Sequence, residues 1–167
     1  MANRVEEVLA VAAGIRLDIG CGAAKQPGFV GLDIRDVSGV DIVHDVNSHP
    51  WPLPDESVLL AMCSHLVEHI PPVAIGPQGT WFPFVAFMDE VWRVLKPEAP
   101  LMIACPHALS PGFAQDPTHC NPCNEATWSY FDPSQSLYAI YQPRPWRIRT
   151  MSWNPAANIE VVLCKVA

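Results

Sequence analysis

The sequence has little charge and no long hydrophobic run. Of its 167 residues, 16% are charged and 50% are hydrophobic, whereas an average domain is roughly 25% charged. This composition excludes an intrinsically disordered chain, which needs low hydrophobicity and high charge. No hydrophobic run reaches the ~18–20 residues of a membrane-spanning helix, so we expect no membrane partner. A chain of this length can bury its own core, and we expect residues 1–167 to form a single domain.

Basic residues are also scarce. Ten lysines and arginines stand against seventeen aspartates and glutamates, which gives a net charge of −7. The one short basic run consists of Arg144, Arg147 and Arg149. Because phosphate contacts dominate nucleic-acid affinity, a DNA-binding protein normally carries a basic face. Duplex DNA is therefore not an expected partner.

Features of a secreted disulfide scaffold are missing as well, although six cysteines are present. The stretch Met1–Ala13 carries Arg4, Glu6 and Glu7 and does not resemble a signal peptide. We therefore expect reduced thiols and a cytoplasmic protein.

A metal site built from cysteines is only weakly indicated. Cys120 and Cys123 have the spacing of a zinc-ligand pair, and Cys105, His107 and His119 stand near them in the sequence. A single C-x-x-C pair without a matching second pair is weak evidence, because Asn-Pro between the thiols permits a tight turn without a metal. We predict no metal ligands.

Short hydrophobic runs alternate with helical patterns along the chain. Five runs predict buried strands, at residues 15–19, 29–34, 40–46, 57–63 and 101–105. Hydrophobic residues at helical spacing predict helices, the longest over 81–95 and shorter ones over 3–11, 66–70 and 124–131. Two further strand patterns, 146–153 and 158–166, close the chain. This order predicts an α/β domain with a mostly parallel sheet and an antiparallel C-terminal edge.

Aspartates stand at or near the ends of three successive predicted strands, at Asp18, Asp33 and Asp45. Ligands of open α/β sheets bind beyond the carboxyl ends of the strands. There a carboxylate can accept hydrogen bonds from a ribose diol or from an exocyclic amine. Aspartate is also common in turns without any ligand, so a single aspartate at a strand end would not indicate a binding site. The three together, with Gly20 and Gly22, favour a nucleoside pocket without a pyrophosphate.

Two common nucleotide signatures are missing. The segment after Gly22 lacks the third glycine of a dinucleotide fingerprint, and no G-x-x-x-x-G-K-[ST] loop is present. Neither a nicotinamide cofactor nor a nucleoside triphosphate is therefore indicated.

Four segments, in order, resemble the class I S-adenosylmethionine-dependent methyltransferases. They are LDIGCG, PGFVGLDIRD, DIVHDVNSHPWPLPDESVLLAMCSHLVEHI and FMDEVWRVLKPEAPLMIACPH. The resemblance covers residues 15–107, and DPTHCNPCNEATWSYF in residues 108–167 is similar to a D-P-x-H segment of small members. It implies a Rossmann-like core over 15–107, followed by a substrate-side loop and C-terminal strands. Only nine residues separate Ile19 from Phe29, so the first crossover helix should be shortened or missing.

The resemblance also implies the residues that would bind S-adenosylmethionine. The methionine end would lie against Asp18, Gly20, Cys21 and Gly22. The ribose would meet Asp33 and Ile34, the adenine Asp45 and Val46, and the sulfonium Ser64 and His65. Glu68 and His69 match a Glu-His pair of the family.

Histidines are the candidates for a general base, since an oxygen or nitrogen acceptor often needs one near neutral pH. His65 is expected nearest the methyl group, and His119 lies in the loop after the fifth strand. For His69, a structural hydrogen bond in its helical turn is the more ordinary explanation, and His107 is a further candidate in the same loop as His119.

The resemblance predicts methyl transfer to a small molecule, nucleotide or sugar. Two alternatives stay open: a non-catalytic S-adenosylmethionine-binding partner or regulator, and an enzyme that uses the same cofactor for another reaction. A homodimer or a protein partner is compatible with each of these functions.

Overall fold

The computed structural model describes residues 6, 14–154 and 157–166. Apart from Glu6, the helix predicted over 3–11 lies outside these residues. The strands are β1 (Ile15–Ile19), β2 (Val30–Asp33), β3 (Ile42–Val43), β4 (Val58–Ser64), β5 (Ala74–Gly76), β6 (Gly79–Trp81), β7 (Pro100–Pro106), β8 (Trp146–Trp153) and β9 (Asn158–Lys165). The helices are a 3₁₀ turn (Val67–His69), α1 (Pro83–Val94), α2 (Pro111–Ala114), α3 (Glu125–Ser129) and α4 (Tyr138–Tyr141).

Seven strands form one sheet in the order β3-β2-β1-β4-β7-β9-β8. The pairs from β3 to β7 are parallel, while β9 is antiparallel to both β7 and β8. The predicted fold class is therefore confirmed: a mostly parallel α/β sheet with an antiparallel C-terminal edge. None of the helices in the described ranges is long and apolar enough to cross a membrane.

Helix α1 covers one face of the sheet with the hydrophobic stripe seen in the sequence. Phe87, Met88, Val91 and Val94 are fully buried on this stripe. The helix begins at Pro83, which suits a first helical position because the missing N–H would have no partner there. It begins two residues later than predicted, because Trp81 pairs with Ala74 in the β5–β6 hairpin.

The crossover from β1 to β2 contains no helix. Residues 20–29, all of which the structure describes, form turns and irregular backbone. Asp18 Oδ2 accepts a hydrogen bond from the Gln26 N–H over 2.9 Å, and the Lys25 ammonium contacts Asp41 Oδ2 at 2.6 Å. These bonds hold the segment in the place of a crossover helix. The absence of that helix agrees with the prediction from the short spacing.

Two predicted segments differ from the structure. Strand β3 covers two residues instead of 40–46, because Asp45 Oδ1 accepts the Asn47 N–H and turns the chain away. Residues 71–79, for which no strand or helix is predicted, include most of the hairpin β5–β6. Its strands are three residues long and mostly exposed, so they carry no hydrophobic alternation that could reveal them.

Candidate functional site

A cavity of about 140 Å³ opens at the carboxyl ends of β1 and β2. We call it the strand-end cavity, and it is lined by Gly20, Asp33, Ile34, Asp45, Val46, Asn47, Leu66, His69 and Ile70. Five of the residues predicted to bind a cofactor are therefore brought to one place by the fold.

Asp33 is the most constrained acidic group of the strand-end cavity. Its Oδ2 accepts the Gly22 N–H over 2.8 Å, and its Oδ1 accepts both the N–H and the Nε–H of Arg35 over 2.9 and 3.2 Å. Burial alone would raise the pKa of this carboxyl. The bonds from Arg35 and Gly22 outweigh burial, so the pKa of Asp33 lies below its ordinary value of 3.8. The group is therefore an anion and a hydrogen-bond acceptor at neutral pH.

The glycine loop approaches the cavity without side chains. Gly20 has a φ of +72°, and a Cβ there would stand 2.9 Å from Leu66 Cδ2. Both the steric contact and the left-handed backbone require glycine at this position. The Cys21 thiol points away from solvent, and burial, together with the charges of Asp18 and Asp33, raises its pKa to about 11. The thiol is consequently neutral at physiological pH.

Asp18 lies behind the cavity and does not line it. It is 4% exposed, and burial raises the pKa of its carboxyl despite the hydrogen bond from Gln26. Its contact in the structure is to the crossover segment, which it holds against β1.

Ser64 is another predicted cofactor residue that does not line the strand-end cavity. It lines a separate groove with Met62, Met102 and Glu160. His65, the next residue, lines neither this groove nor the strand-end cavity.

A second cavity of about 460 Å³ lies beside the first, and we call it the histidine cavity. It is lined by His65, Glu68, His69, Pro106, Gly112, Gln115, Asp116, His119 and Asn158. His69 lines both cavities. Three of the four histidines predicted as candidates for a base are thus brought together, and His69 also lines the cavity that contains Asp33 and Gly20.

His65 adopts a conformation unusual for its residue type. It follows β4 with a φ of +53°, in the left-handed region that costs a side chain with a Cβ of order 1–3 kcal/mol. Its Nε2 stands 3.2 Å from Asn158 Nδ2, and its Nδ1 stands 3.3 Å from Glu68 Oε1. Because the amide nitrogen can only donate, Nε2 accepts and Nδ1 carries the proton.

His69 and His119 meet edge to face, with ring centroids 4.7 Å apart. His119 Nδ1 stands 2.9 Å from the Phe113 carbonyl oxygen, so this nitrogen carries the proton and donates it. His69 Nδ1 stands 2.9 Å from Thr118 Oγ1. The Thr118 hydroxyl already donates to Asp116 Oδ1 over 2.7 Å, so it accepts from His69. In the neutral form of each ring, Nε2 is therefore the nitrogen without a proton.

Glu68 is the functional feature that the sequence analysis underrated. Its side chain is fully buried at the floor of the histidine cavity. Neither carboxylate oxygen has a hydrogen-bond partner among the described residues. The sequence offered only the Glu-His pair as a signal, because burial of a glutamate in a short 3₁₀ turn follows from the tertiary fold.

The D-P-x-H segment reaches the cavity by docking on that 3₁₀ turn. The N–H groups of Cys120 and Asn121 donate to the Glu68 carbonyl oxygen over 2.9 and 3.0 Å. The buried side chain of Asn121 donates to the Val67 carbonyl oxygen over 3.0 Å. This docking places His119 against His69.

The remaining thiol and histidine candidates line neither cavity. Cys123 is buried, whereas the exposed Cys120 thiol contacts the His69 carbonyl oxygen at 3.5 Å. His107 packs against Trp153, with ring centroids 3.8 Å apart, and stands 3.3 Å from Glu125 Oε2.

No protein-family model and no curated protein matches the sequence. Solved structures do match over nearly the whole chain. A SAM-dependent methyltransferase from Archaeoglobus fulgidus matches with a TM-score of 0.61 at 18% identity. The match covers 96% of this chain and 94% of the methyltransferase chain. The 16S rRNA (adenine(1408)-N(1))-methyltransferase from Catenulisporales acidiphilia has a TM-score of 0.60 at 14% identity, covering 98% and 90%.

The same architecture also occurs in an enzyme of another class. The cyclase SpnF has a TM-score of 0.60 at 16% identity, covering 98% of this chain and 78% of its own. At these identities the likeness concerns the fold. Together with the sheet order and the position of the two cavities, it shows that this chain has the fold of the class I S-adenosylmethionine-dependent methyltransferases.

Proposed function

We propose that the protein is an S-adenosylmethionine-dependent methyltransferase that acts on a small polar acceptor. The observation that carries the proposal is the position of His69, which lines both the strand-end cavity and the histidine cavity. A cofactor held in the first cavity and an acceptor held in the second would be direct neighbours. This adjacency is what a group transfer requires.

The strand-end cavity has features that suit an adenosyl group. A carboxylate offers about four acceptor positions, and three of those of Asp33 are taken by Gly22 and Arg35. One position remains for a ribose hydroxyl. A second would be freed if the Arg35 side chain, which is 65% exposed, moved away. Ile34, 63% exposed beside it, offers an apolar surface to a base.

S-adenosylmethionine supplies an activated methyl group, so the protein has mainly to bind and align the reactants. In the proposal, Asp33 and the backbone of Gly20 hold the adenosyl and methionine parts. The histidine cavity holds the acceptor, with the Nε2 atoms of His69 and His119 available to it. A volume of about 460 Å³ suits a small molecule, and the net charge of −7 disfavours RNA as the acceptor.

Calorimetric titration tests the cofactor directly. We expect micromolar binding of S-adenosylmethionine and S-adenosylhomocysteine, and none of NAD or ATP. If the protein bound neither S-adenosylmethionine nor S-adenosylhomocysteine, the proposal would be refuted. Binding without methylation of any of a panel of sugars, nucleotides and small hydroxy or amino compounds would favour the non-catalytic alternative.

A further inference from the structure

We propose that Glu68, His69 and His119 form a binding site for a divalent transition-metal ion in the histidine cavity. One carboxylate oxygen and one ring nitrogen from each histidine all lie within 4.8 Å of one another. Two imidazoles with one carboxylate are a ligand set that suits iron, manganese, cobalt or zinc in the divalent state.

The first support is the environment of Glu68. Its carboxylate is fully buried, and both oxygens lack hydrogen-bond partners among the described residues. Buried charges in proteins are paired, hydrogen-bonded or bound to metals, because an uncompensated one is strongly unfavourable. His65 Nδ1 stands 3.3 Å from Oε1 but does not form a hydrogen bond with it. A cation between Glu68 and the two histidines would satisfy the carboxylate.

The second support is the orientation of the two rings. In each histidine, Nδ1 is engaged by an oxygen of a neighbouring residue, Phe113 for His119 and Thr118 for His69. Metal-binding histidines typically donate their other ring N–H in this way, which fixes both the tautomer and the ring plane. The lone pairs of both Nε2 atoms therefore remain for an ion, and His119 Nε2 stands 4.0 Å from Glu68 Oε1.

The geometry needs only a small contraction. Ligand atoms that each lie ~2.1 Å from an ion are separated by about 3–4 Å, so displacements of about 1 Å would bring the three ligand atoms to coordinating distance. Asp116 Oδ2, at 3.8 Å from His119 Nε2, can supply a fourth donor. The histidine cavity, with a volume of about 460 Å³, leaves room for an exogenous oxygen or nitrogen ligand.

One consequence rests on the proposed methyl transfer. An acceptor oxygen bound to the ion would lie beside His69, at the junction with the strand-end cavity. The ion would then hold the acceptor and favour its deprotonated form, so no free histidine would be needed as a base.

The test uses the full-length protein stripped with EDTA and titrated with Mn²⁺ or Co²⁺ alone, without a methyl donor. We expect one ion per chain with micromolar affinity, visible absorption bands on Co²⁺ loading, and a rise in thermal midpoint with ion concentration. Glu68→Gln and His119→Asn should each weaken binding by about 100-fold or more. Thr118→Val, which releases the His69 ring and removes the hydroxyl bond to Asp116, should weaken it by about 10- to 100-fold.

Glu125→Gln is the matched control, because Glu125 also stands 3.3 Å from a histidine, His107, but outside the cavity. It should bind the ions like the wild type. Absence of Mn²⁺ and Co²⁺ binding by the wild type, or wild-type affinity in both His119→Asn and Thr118→Val, would overturn the inference even if Glu68→Gln failed to fold. Titration with S-adenosylhomocysteine in the presence of EDTA reports on the proposed function separately.

Discussion

The backbone N–H of Gly22 donates a hydrogen bond of 2.8 Å to Asp33 Oδ2. The bond joins the loop after β1 to the end of β2, across a crossover that has no helix to hold it. The same carboxylate lines the strand-end cavity. Asp33 therefore serves both the fold and the proposed binding site, and an experiment has to separate the two roles.

Asp33→Asn should weaken S-adenosylhomocysteine binding by about 10- to 100-fold, because it removes a charge-assisted hydrogen bond worth roughly 1.5–3 kcal/mol. Titration calorimetry measures the change. Asp132→Asn is the control: Asp132 is 5% exposed and accepts the N–H groups of Ser134 and Ile148 over 2.9 and 2.8 Å, remote from the cavity. Asp132→Asn should lose about as much stability as Asp33→Asn but keep its affinity for S-adenosylhomocysteine. Equal losses of affinity in the two variants would contradict a direct role of Asp33.

Acid should destabilise the protein in part through Asp132. Burial would raise the pKa of this carboxyl, but bonds from Ile148 and Ser134 prevail and hold the pKa below the ordinary 3.8. A lowered folded-state pKa contributes stability that is present above about pH 4 and lost as pH falls through the folded value. Urea midpoints measured from pH 7 to pH 3 should therefore fall less steeply for Asp132→Asn than for the wild type. Parallel curves would show that Asp132 is not a source of the acid sensitivity.

Gly31→Ala should destabilise the fold by about 1–3 kcal/mol, the usual cost of overpacking a buried site. A Cβ at Gly31 would stand 2.6 Å from the Cys21 sulfur and 2.9 Å from the Gly39 carbonyl oxygen. Adding Cys21→Ala should restore part of the loss, since it removes the nearest atom. In Gly112→Ala the nearest atom is at an ordinary 3.6 Å, so that variant should unfold in urea like the wild type. If Gly31→Ala had the same free energy of unfolding as the wild type, the glycine loop would have to shift without cost.

His65→Gly should raise stability by roughly 0.5–1 kcal/mol, because glycine adopts the left-handed backbone without steric cost. Gln142→Gly tests the same effect elsewhere: Gln142 ends helix α4 with a φ of +48°. We expect both variants to unfold at higher urea concentration. Only His65→Gly should slow methyl transfer, because His65 lines the cavity proposed to hold the acceptor. Loss of stability in His65→Gly alone would mean that its contacts with Glu68 and Asn158 outweigh the backbone strain.

The sequence predicts the framework of the site better than its chemistry. Strands β1 and β8 begin and end where the hydrophobic patterns place them, and the acidic residues at strand ends do mark a cavity in the case of Asp33 and Asp45. The helix over 124–131 is also present as α3, with Asn124 accepting the N–H groups of Ala126 and Thr127 as its cap. These features follow from local rules of periodicity and capping.

Features that depend on long-range packing could not be predicted in this way. The isolation of Glu68 arises because residues 116–121, some fifty positions away, fold over the 3₁₀ turn and exclude solvent. The roles of Thr118 and Phe113 in orienting histidine rings are equally non-local. Ser64 lines the groove with Met62 rather than either cavity, a placement that the strand pattern alone does not reveal.

The short crossover has a consequence for how the chain folds. Leu17 pairs with Val30 across 13 positions, whereas Ala61 pairs with Leu101 across 40. By loop-closure entropy the first pairing costs about 1 kcal/mol less than the second. The pairing of β2 with β3 is shorter still, since Leu32 pairs with Ile42 across 10 positions. Parallel pairings with short loops therefore carry the glycine loop and Asp33, and they can serve as a template on which β4 and then β7 add.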